Sequence, residues 1–427
     1  MHTRRVRTTR ARRLRGRLAG GLVVAAAAAA ALPAGAQAGT VGDQMLLTYT
    51  GITPALVHDA EHGRYLVTAG SDTGGLTART VARSGPLASR TAFSLDQNVP
   101  FFRPDLARNP RADQTLVVHG DGHGLQAQIV AGDGSAPAER RVTLAGTGRE
   151  PAVAYGSAPN EYLAVWQDTG SDGHADVLAR RVSPSGQPLG GTVRLSDRAD
   201  VLDARLPDVA YRPGSGDYLV AWAGTRADGS TDVFAQRVGA DGAERGADDA
   251  QVSDHRAIGG SAQNTAPALA ADAGTNVVVA FTDGYEIFAR RLTGTAATRS
   301  AKDERLSTMG LPDDASYRTA TPAIAYLPRT GGGRWLVTWS GNDTTSPQGG
   351  REAEIFGQEI TGALGQVGPD DFTISQRSRP AGVPIDGRAL DPAVAADPAA
   401  GSFLVAWWAD DVVPGDPAYA RRVASAG

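Results

Sequence analysis

A pattern of three short strands occurs seven times in this chain of 427 residues, and no other feature constrains the fold as strongly. Each copy opens with a proline and a small apolar strand, continues with a denser apolar strand, and closes with a strand that carries a fixed small residue. The copies begin at Pro54, Pro104, Pro151, Pro207, Pro267, Pro322 and Pro392. Spacings of 47 to 70 residues, with several short strands in each unit, are typical of the blades of a β-propeller.

Two columns of the repeat predict how the blades pack against one another. The second strand ends at Ala69, His119, Trp166, Trp222, Phe281, Trp339 and Trp407. The third strand has its small residue at Ala78, Ala127, Ala179, Ala235, Ala289, Gly357 and Ala420. A small residue in every copy indicates that the backbones of stacked blades approach closely. We interpret the tryptophans as packing groups rather than sugar-stacking groups, because they recur with the strand repeat.

A fourth strand follows the third in six copies and is missing from the last, where the chain ends at Gly427. Residues 44–48 (QMLLT) supply a spare strand before the first copy. We expect this strand to pair with the last blade as its outer strand, which closes the ring and removes two open sheet edges. The predicted fold is therefore all-β: a seven-bladed propeller of four-stranded antiparallel blades over residues 39–427.

The first 38 residues have the composition of a secretory signal peptide. Residues 1–17 contain eight arginines and no acid, residues 18–32 are apolar, and residues 36–38 (AQA) form a cleavage site of the A-x-A type. The arginine pairs at 4–5 and 12–13 raise the twin-arginine export route. Because an arginine stands two positions beyond each pair, where that route prefers an apolar residue, the Sec route is favoured. We therefore predict a secreted, extracellular protein without a membrane span.

The net charge of the chain limits the classes of partner that it can attract. Cleavage after residue 38 removes eight arginines and no acid, which changes the net charge from −4 to −12. An acidic protein has no general field that attracts nucleic acid or anionic lipid. The chain has no cysteine, and a propeller of this size has enough core to fold without disulfides. We expect a monomer whose partner is an extracellular protein or a glycan.

The longest predicted loops lie on one face of the propeller, which we call the long-loop face. It carries the connections between strands 2 and 3 and between successive blades, including residues 252–266, 340–352, 375–391 and 409–417. Long loops on a rigid scaffold are common binding sites. Near blades 6 and 7 the candidates for ligand contact are Trp408, Asp410, Asp343 and Arg388. For Trp408, edge packing is the alternative.

Aspartates follow the second strand in most copies: Asp72, Asp121, Asp168, Asp283, Asp343 and Asp410. They favour either a site for a divalent cation or capping of tight turns, and turn capping is the commoner use of aspartate there. The best local candidates for calcium are Asp168, Asp172 and Asp176, although their spacing of four residues differs from the spacing of two in an EF-hand. No cofactor is predicted beyond this candidate calcium site.

The histidines also raise a metal interpretation, which their positions weaken. His119, His123 and His174 fall near strand 2–3 loops, whereas His58 and His62 fall on the opposite face. An H-x-x-x-H pair places both rings on one side only when the segment is a helix, and here the segments are strand and turn.

Three charged residues directly before the first strands point to the mouth of the central channel: Arg103, Glu150 and Asp391. Two carboxylates and an arginine are a candidate catalytic set for a hydrolase or lyase. Solvated rim charges are the alternative, and we favour it. The chain has no G-x-S-x-G nucleophile elbow and no cysteine, so a protein that is not an enzyme is the better prediction.

The repeat resembles the P-x-V-A-Y … Y-L-V-x-W … D-I-F-x-Q-R-V units of exported bacterial β-propeller proteins. The third and fourth copies, residues 151–182 and 207–238, match this pattern best, and the first, second and seventh depart from it. The resemblance implies a propeller fold and export, but no common activity. Two functions therefore stay open: a secreted binding or scaffolding propeller that acts through its long-loop face, and a carbohydrate-active hydrolase or lyase that uses the channel-mouth carboxylates.

Overall fold

The structure, a computed structural model, describes residues 40–48, 51–70, 75–84, 90–94, 103–120, 124–137, 140–254, 266–294, 298–299, 302–309, 319–342, 353–375, 388–410 and 416–426. These residues form seven antiparallel sheets arranged as the blades of a propeller, as the repeat predicts. We number the blades 1 to 7 in chain order and list the strands of each from the central channel outward. The predicted signal peptide lies outside the described residues.

In blades 1 to 3, the order of the strands from the channel outward is their order in the sequence. Blade 1 consists of Ile52–Asp59, Arg64–Gly70, Leu76–Ala82 and Arg90–Ser94. Blade 2 consists of Asp105–Asn109, Gln114–Gly120, Leu125–Ala131 and Arg141–Ala145. Blade 3 consists of Arg149–Gly156, Glu161–Thr169, Ala175–Val182 and Pro188–Arg194.

Blades 4 to 6 have the same order. Blade 4 consists of Val201–Arg212, Asp217–Arg226, Thr231–Gly239 and Glu244–Gln251. Blade 5 consists of Ala268–Ala271, Val277–Asp283, Glu286–Thr293 and an outer strand in two pieces, Thr298–Arg299 and Glu304–Arg305. Blade 6 consists of Thr319–Leu327, Arg334–Gly341, Glu354–Thr361 and Gln366–Thr373.

Blade 7 closes the ring with a strand from the other end of the chain. Its inner three strands are Arg388–Asp397, Ser402–Asp410 and Ala418–Ala424, and its outer strand consists of Thr40–Val41 and Met45–Thr48. Met45 lies opposite Ala420 in this ladder. Leu47, only 3% exposed, packs in a cluster with residues of blades 7 and 1. The predicted closure by the N-terminal strand is confirmed.

The core lies between neighbouring blades. Trp222 of blade 4, for example, packs in one cluster with Val165 and Ala179 of blade 3. The four tryptophans of the repeat column are at most 1% exposed, which confirms their packing role: Trp166, Trp222, Trp339 and Trp407. At Gly357 an added Cβ would lie 2.8 Å from the side chain of Ile374, so at this copy even alanine would be crowded. The alanines of the other six copies are at most 4% exposed.

In four blades, a serine just after strand 4 is hydrogen-bonded to the start of strand 3. Its hydroxyl accepts the main-chain N–H of the first aliphatic residue in strand 3 and donates to the acid before that residue. The serines and their N–H donors are Ser196 with Val177, Ser253 with Val233, Ser307 with Ile287 and Ser375 with Ile355. The acids are Asp176, Asp232, Glu286 and Glu354. We call this arrangement the serine bridge; it gives the acid of the repeat a structural role.

None of the described segments forms a helix that is long and apolar enough to cross a membrane.

Candidate ligand site at the mouth of the central channel

The first strands of all seven blades line a central cavity of about 330 Å³. Its wall includes the seven prolines that begin the repeats: Pro54, Pro104, Pro151, Pro207, Pro267, Pro322 and Pro392. Proline has no N–H to donate. In blades 2 and 5 it precedes strand 1, and in the other five blades it lies inside strand 1 where the pairing with strand 2 shifts register, so no ladder bond is lost. Most of the remaining wall is alanine, valine, leucine and isoleucine, and its polar side chains are Arg103, Asp105, Glu150, Asp208 and Thr321.

The chain bends sharply at the residue before the proline. Five of these residues have a positive φ: Thr53 (44°), Glu150 (48°), Leu206 (54°), Thr321 (47°) and Asp391 (46°). In each case the pairing of strands 1 and 2 shifts register at the same place. Such β-bulges redirect a side chain away from the pleat of the sheet. Here they occur where the inner strands enter the channel from the long-loop face.

Arg103 joins the two other charged residues predicted at the channel mouth. Its Nη2 lies 2.7 Å from Asp391 Oδ1, and its Nε lies 3.5 Å from Glu150 Oε2. Burial acts to lower the pKa of Arg103, but Asp391 and Glu150 outweigh it and raise the pKa. One guanidinium therefore holds carboxylates from blades 3 and 7. Whether this trio has a catalytic role stays a prediction.

The indole of Trp408 belongs to the same network. Trp408 Nε1 donates a hydrogen bond to Asp391 Oδ2 over 2.8 Å. The ring is half-buried, whereas the neighbouring Trp407 is 1% exposed in the core between blades 6 and 7, because consecutive residues of a strand point to opposite faces. Asp391 thus holds the indole of Trp408 and the guanidinium of Arg103 next to each other. We call Arg103, Glu150, Asp391 and Trp408 the mouth cluster.

The other predicted ligand contacts lie at the same end of blade 7 or outside the described residues. Arg388 and Asp410 are opposite each other in strands 1 and 2 and form an ion pair, Nη2 to Oδ2, of 2.6 Å. Both are about half exposed. Asp343 lies outside the described residues, as do most of the long loops of blades 6 and 7.

The predicted calcium ligands each have a different partner. Asp168 accepts a hydrogen bond from Thr147 at 2.6 Å. Asp172 caps its own turn by accepting the N–H of His174 at 3.1 Å. Asp176 pairs with Arg194 at 2.8 Å and belongs to the serine bridge of blade 3. Among the described residues these three aspartates do not form a group of metal ligands.

The histidine candidates fall in different settings. His119 is 1% exposed, and its Nδ1 lies 3.3 Å from the carbonyl of Gly120. His174 is exposed on a turn of blade 3, and His123 lies outside the described residues.

Sequence reasoning missed two aspartates on the channel wall, Asp105 and Asp208. Asp105 accepts the N–H of Val153 at 2.7 Å, and Asp208 accepts the N–H of Leu269 at 2.6 Å, so each ties its blade to the next. Burial, together with the charge of Asp208, raises the pKa of Asp105 to about 7. Burial raises the pKa of Asp208 to about 6. The sequence does mark these two positions, because the residue after the repeat proline is aspartate in these two copies and alanine in the other five.

Comparison with known proteins supports the architecture alone. No protein family and no curated protein matches the chain. A solved polysaccharide lyase, described as an ulvan lyase, has a TM-score of 0.52 at 12% identity over 90% of this chain and 95% of its own. The Dos1 propeller has a TM-score of 0.47 at 9% identity, over 89% of this chain and 95% of its own. A protein of unknown function from Dyadobacter fermentans has 0.48 at 10% identity, over 90% and 98%.

Proposed function

We propose that this protein is a secreted binding propeller whose mouth cluster recognises a glycan on the long-loop face. The observation that carries the proposal is the half-buried Trp408, whose ring is held by a 2.8 Å hydrogen bond to Asp391 beside the guanidinium of Arg103. Arg103 and Glu150 of the mouth cluster line the cavity of about 330 Å³. An aromatic ring next to fixed polar groups is a common way to bind a small polar ring.

The charge arrangement supports binding more than turnover. Glu150 and Asp391 both face Arg103, at 3.5 Å and 2.7 Å. Carboxylates accept hydrogen bonds from hydroxyl groups, and a planar guanidinium donates hydrogen bonds to them, in fixed directions. A general acid also needs access to the leaving group, whereas here one oxygen of each carboxylate faces Arg103.

The second candidate, a carbohydrate-active hydrolase or lyase, draws on a different residue. Asp105 has a pKa near 7, which suits proton transfer at neutral pH. Its Oδ2 is already engaged by the N–H of Val153 in the channel wall, so we place this function second. Because the solved structure similar to this chain at a TM-score of 0.52 is a polysaccharide lyase, polysaccharides are the first ligand class to test.

Calorimetric titration of the chain from residue 39 with neutral and acidic oligosaccharides tests the proposal. We expect one saccharide class to bind, and Trp408→Ala to weaken it by about tenfold or more. Trp408→Phe keeps a ring but has no N–H for Asp391, so its affinity for the saccharide should lie between those of the wild type and Trp408→Ala. Arg245→Gln, on an exposed hairpin of blade 4, is the control. Binding that survives Trp408→Ala unchanged would remove the mouth cluster from the proposal.

Turnover is measured with the same saccharides by release of reducing ends and by absorbance of unsaturated sugar products. Binding without turnover in the wild type supports a binding protein. Turnover that disappears in the Glu150→Gln, Asp391→Asn double variant would support the enzyme with the predicted carboxylates. Turnover that disappears only in Asp105→Asn would place the general acid in the channel. Fractionation of expressing cells tests export.

A further inference from the structure

Three carboxylates meet at the outer junction of blades 3 and 4. Asp197 follows the outer strand of blade 3, and Asp248 and Asp249 lie in the outer strand of blade 4. Each offers an oxygen, and the three oxygens lie within 4.8 Å of one another. Asp197 and Asp248 are exposed, whereas Asp249 is 1% exposed.

One oxygen of this group is buried without a partner. Asp249 Oδ2 accepts the N–H of Arg198 at 2.8 Å, but Asp249 Oδ1 has no hydrogen bond. Glu244 Oε1, nearby in the same strand, is also buried and has none. A buried carboxylate oxygen without a donor or cation is costly and rare in native proteins.

The next junction shows how the same fold neutralises these positions. Between blades 4 and 5, Asp254 and Asp303 occupy the places of Asp197 and Asp249, counted from the serines of the serine bridge. There Arg290 bridges them: its Nη2 pairs with Asp254, and its Nε donates to Asp303 Oδ1 at 2.6 Å. Asp303 also accepts the N–H of Asp254 at 2.7 Å. A cation thus stands between two carboxylates.

At the junction of blades 3 and 4 the bridging arginine is replaced by a neutral side chain. Gln236 occupies the column of Arg290, and its Oε1 accepts the N–H of Asp249 at 3.1 Å. Asp248 stands where blade 5 has Lys302. The guanidinium of Arg198 pairs with Asp200 at 2.5 Å and donates to the carbonyl of Asp249 at 3.3 Å. One junction therefore has an arginine between two acids, and the other has a glutamine in that column and a third acid.

The junction of blades 5 and 6 serves as an internal control. Asp370 and Asp371 match Asp248 and Asp249, and Gln358 matches Gln236, but Thr308 stands in the place of Asp197. Thr308 donates its N–H to Asp371 Oδ2 at 2.6 Å. Asp371 Oδ1 is buried without a hydrogen bond, as Asp249 Oδ1 is, but among the described residues this junction does not form a group of three metal ligands. The two junctions therefore differ in the third carboxylate, that of Asp197.

We propose that Asp197, Asp248 and Asp249 bind one divalent cation, Ca²⁺, which joins blades 3 and 4 as Arg290 joins blades 4 and 5. Ligand oxygens at 2.3–2.6 Å from a single Ca²⁺ are at most about 5 Å apart, in agreement with the separation observed here. An all-oxygen set with two exposed members leaves room for water ligands, which Ca²⁺ accepts in flexible geometry. Mg²⁺ requires a stricter octahedron and is the weaker candidate.

Calorimetric and thermal titrations with CaCl₂, up to about 10 mM at constant ionic strength, test this site. We expect saturable binding of one Ca²⁺ and an unfolding midpoint that rises by a few degrees at saturation. Asp248→Asn, an exposed change, should weaken binding by about tenfold or more. Asp370→Asn, at the matching position of blade 6, should leave it unchanged. Gln236→Arg should abolish calcium binding and raise the midpoint of the metal-free protein.

Three results would overturn the proposal. The first is the absence of heat and of a midpoint shift in the wild type. The second is a calcium response that Asp248→Asn leaves intact, which would locate the ion elsewhere. The third is equal weakening by Asp248→Asn and Asp370→Asn, which would indicate diffuse screening of acids. Saccharide binding at the mouth cluster is measured separately, so the two proposals can fail independently.

Discussion

Arg212 is a buried charge with partners in its own blade and in the next one. Arg212 of blade 4 has no solvent exposure, and it donates to both oxygens of Asp217, at 2.9 Å and 2.6 Å. Its remaining nitrogen donates to the carbonyl of Gly294 in blade 5 at 2.9 Å. Every branch of the guanidinium is thus engaged in a position that water does not reach. A buried ion pair of this kind tolerates loss of one member poorly.

Arg212→Met should lower the free energy of unfolding by about 3 kcal/mol, because it removes the buried cation and leaves the carbonyl of Gly294 without its donor. Arg237→Met is the matched control. Arg237 also pairs with Asp217, at 2.6 Å, but is 18% exposed, so its loss should cost about 1 kcal/mol. Urea denaturation measures both. If both variants lost the same free energy of unfolding, burial of Arg212 would not explain its contribution to stability.

Asp105→Asn should change how stability depends on pH. The carboxyl has an ordinary pKa of 3.8 and a folded pKa of about 7, so between these values the folded state binds more protons than the unfolded state. The free energy of unfolding contributed by Asp105 therefore falls as pH rises from about 4 to about 7. Asparagine still accepts the N–H of Val153 and does not titrate. We expect the variant to melt higher than the wild type at about pH 8 and similarly at about pH 4; parallel curves would contradict this.

At the scale of elements, the serine bridge explains why the repeat contains an acid at the start of strand 3. Ser253 Oγ accepts the N–H of Val233 at 3.0 Å and donates to Asp232 at 2.8 Å, and all three residues are buried. The hydroxyl continues the hydrogen bonding between strands 3 and 4 beyond the end of the ladder. Without it, a buried donor and a buried acceptor would lose their partner at once.

Ser253→Ala should lower the free energy of unfolding by about 2 kcal/mol, since both groups stay buried in the variant. Hydrogen exchange at the amide of Val233 should accelerate, and that of the inner strands should not. Ser185→Ala is the control, because the Ser185 hydroxyl bonds to Ser183 on an exposed turn at 2.8 Å. A protected Val233 amide in Ser253→Ala would show that the ladder does not need the bridge.

The elements also set the chemistry of the channel. The β-bulges place Glu150 and Asp391 at the mouth, both at positive φ and both directly before a proline. A non-glycine residue in this region is uncommon and carries strain of about 1 kcal/mol or more. Its recurrence in five blades, with threonine and leucine at other copies, shows that the bend belongs to the propeller scaffold. Among these five positions only Glu150 and Asp391 are charged, so the bend itself does not require a charge there.

At the scale of the whole molecule, two short strands close the ring, one of four residues and one of two. Met45–Thr48 and Thr40–Val41 cover the outer edge of Ala418–Ala424. Without them that edge would expose unpaired N–H and C=O groups, which pair readily with other chains. Leu47 also joins the cluster between blades 7 and 1.

A chain that begins at residue 49 should melt at a lower temperature than a chain that begins at residue 39, and it should form larger species on size-exclusion chromatography with light scattering. The physical reason is the open edge of blade 7 together with the uncovered apolar cluster. Leu47→Lys in the longer chain is the matched point variant, and it should destabilise without opening the edge. Equal stability and monodispersity of the two chains would show that the closure contributes little.

The sequence predicted the elements well and their side-chain contacts poorly. The repeat columns predicted the buried tryptophans and the crowded small residues, because every blade packs by the same local geometry. The charged trio at the channel mouth was named from its position before the prolines. That Trp408 donates to Asp391, and that Arg103 pairs with both carboxylates, could not be read from the repeat, because each contact joins residues that differ from copy to copy.

By itself the sequence determined the number of blades, the order of their strands and the closure of the ring, since these follow from a local pattern that is repeated seven times. Only the tertiary structure decided which charges meet. Arg103 and Asp391 are 288 residues apart, and Asp197 meets Asp249 across a blade junction. A period places equivalent positions at equivalent heights around the ring. Contacts between unlike side chains depend on the curvature of the ring and on the local bulges, which hydrophobic periodicity does not encode.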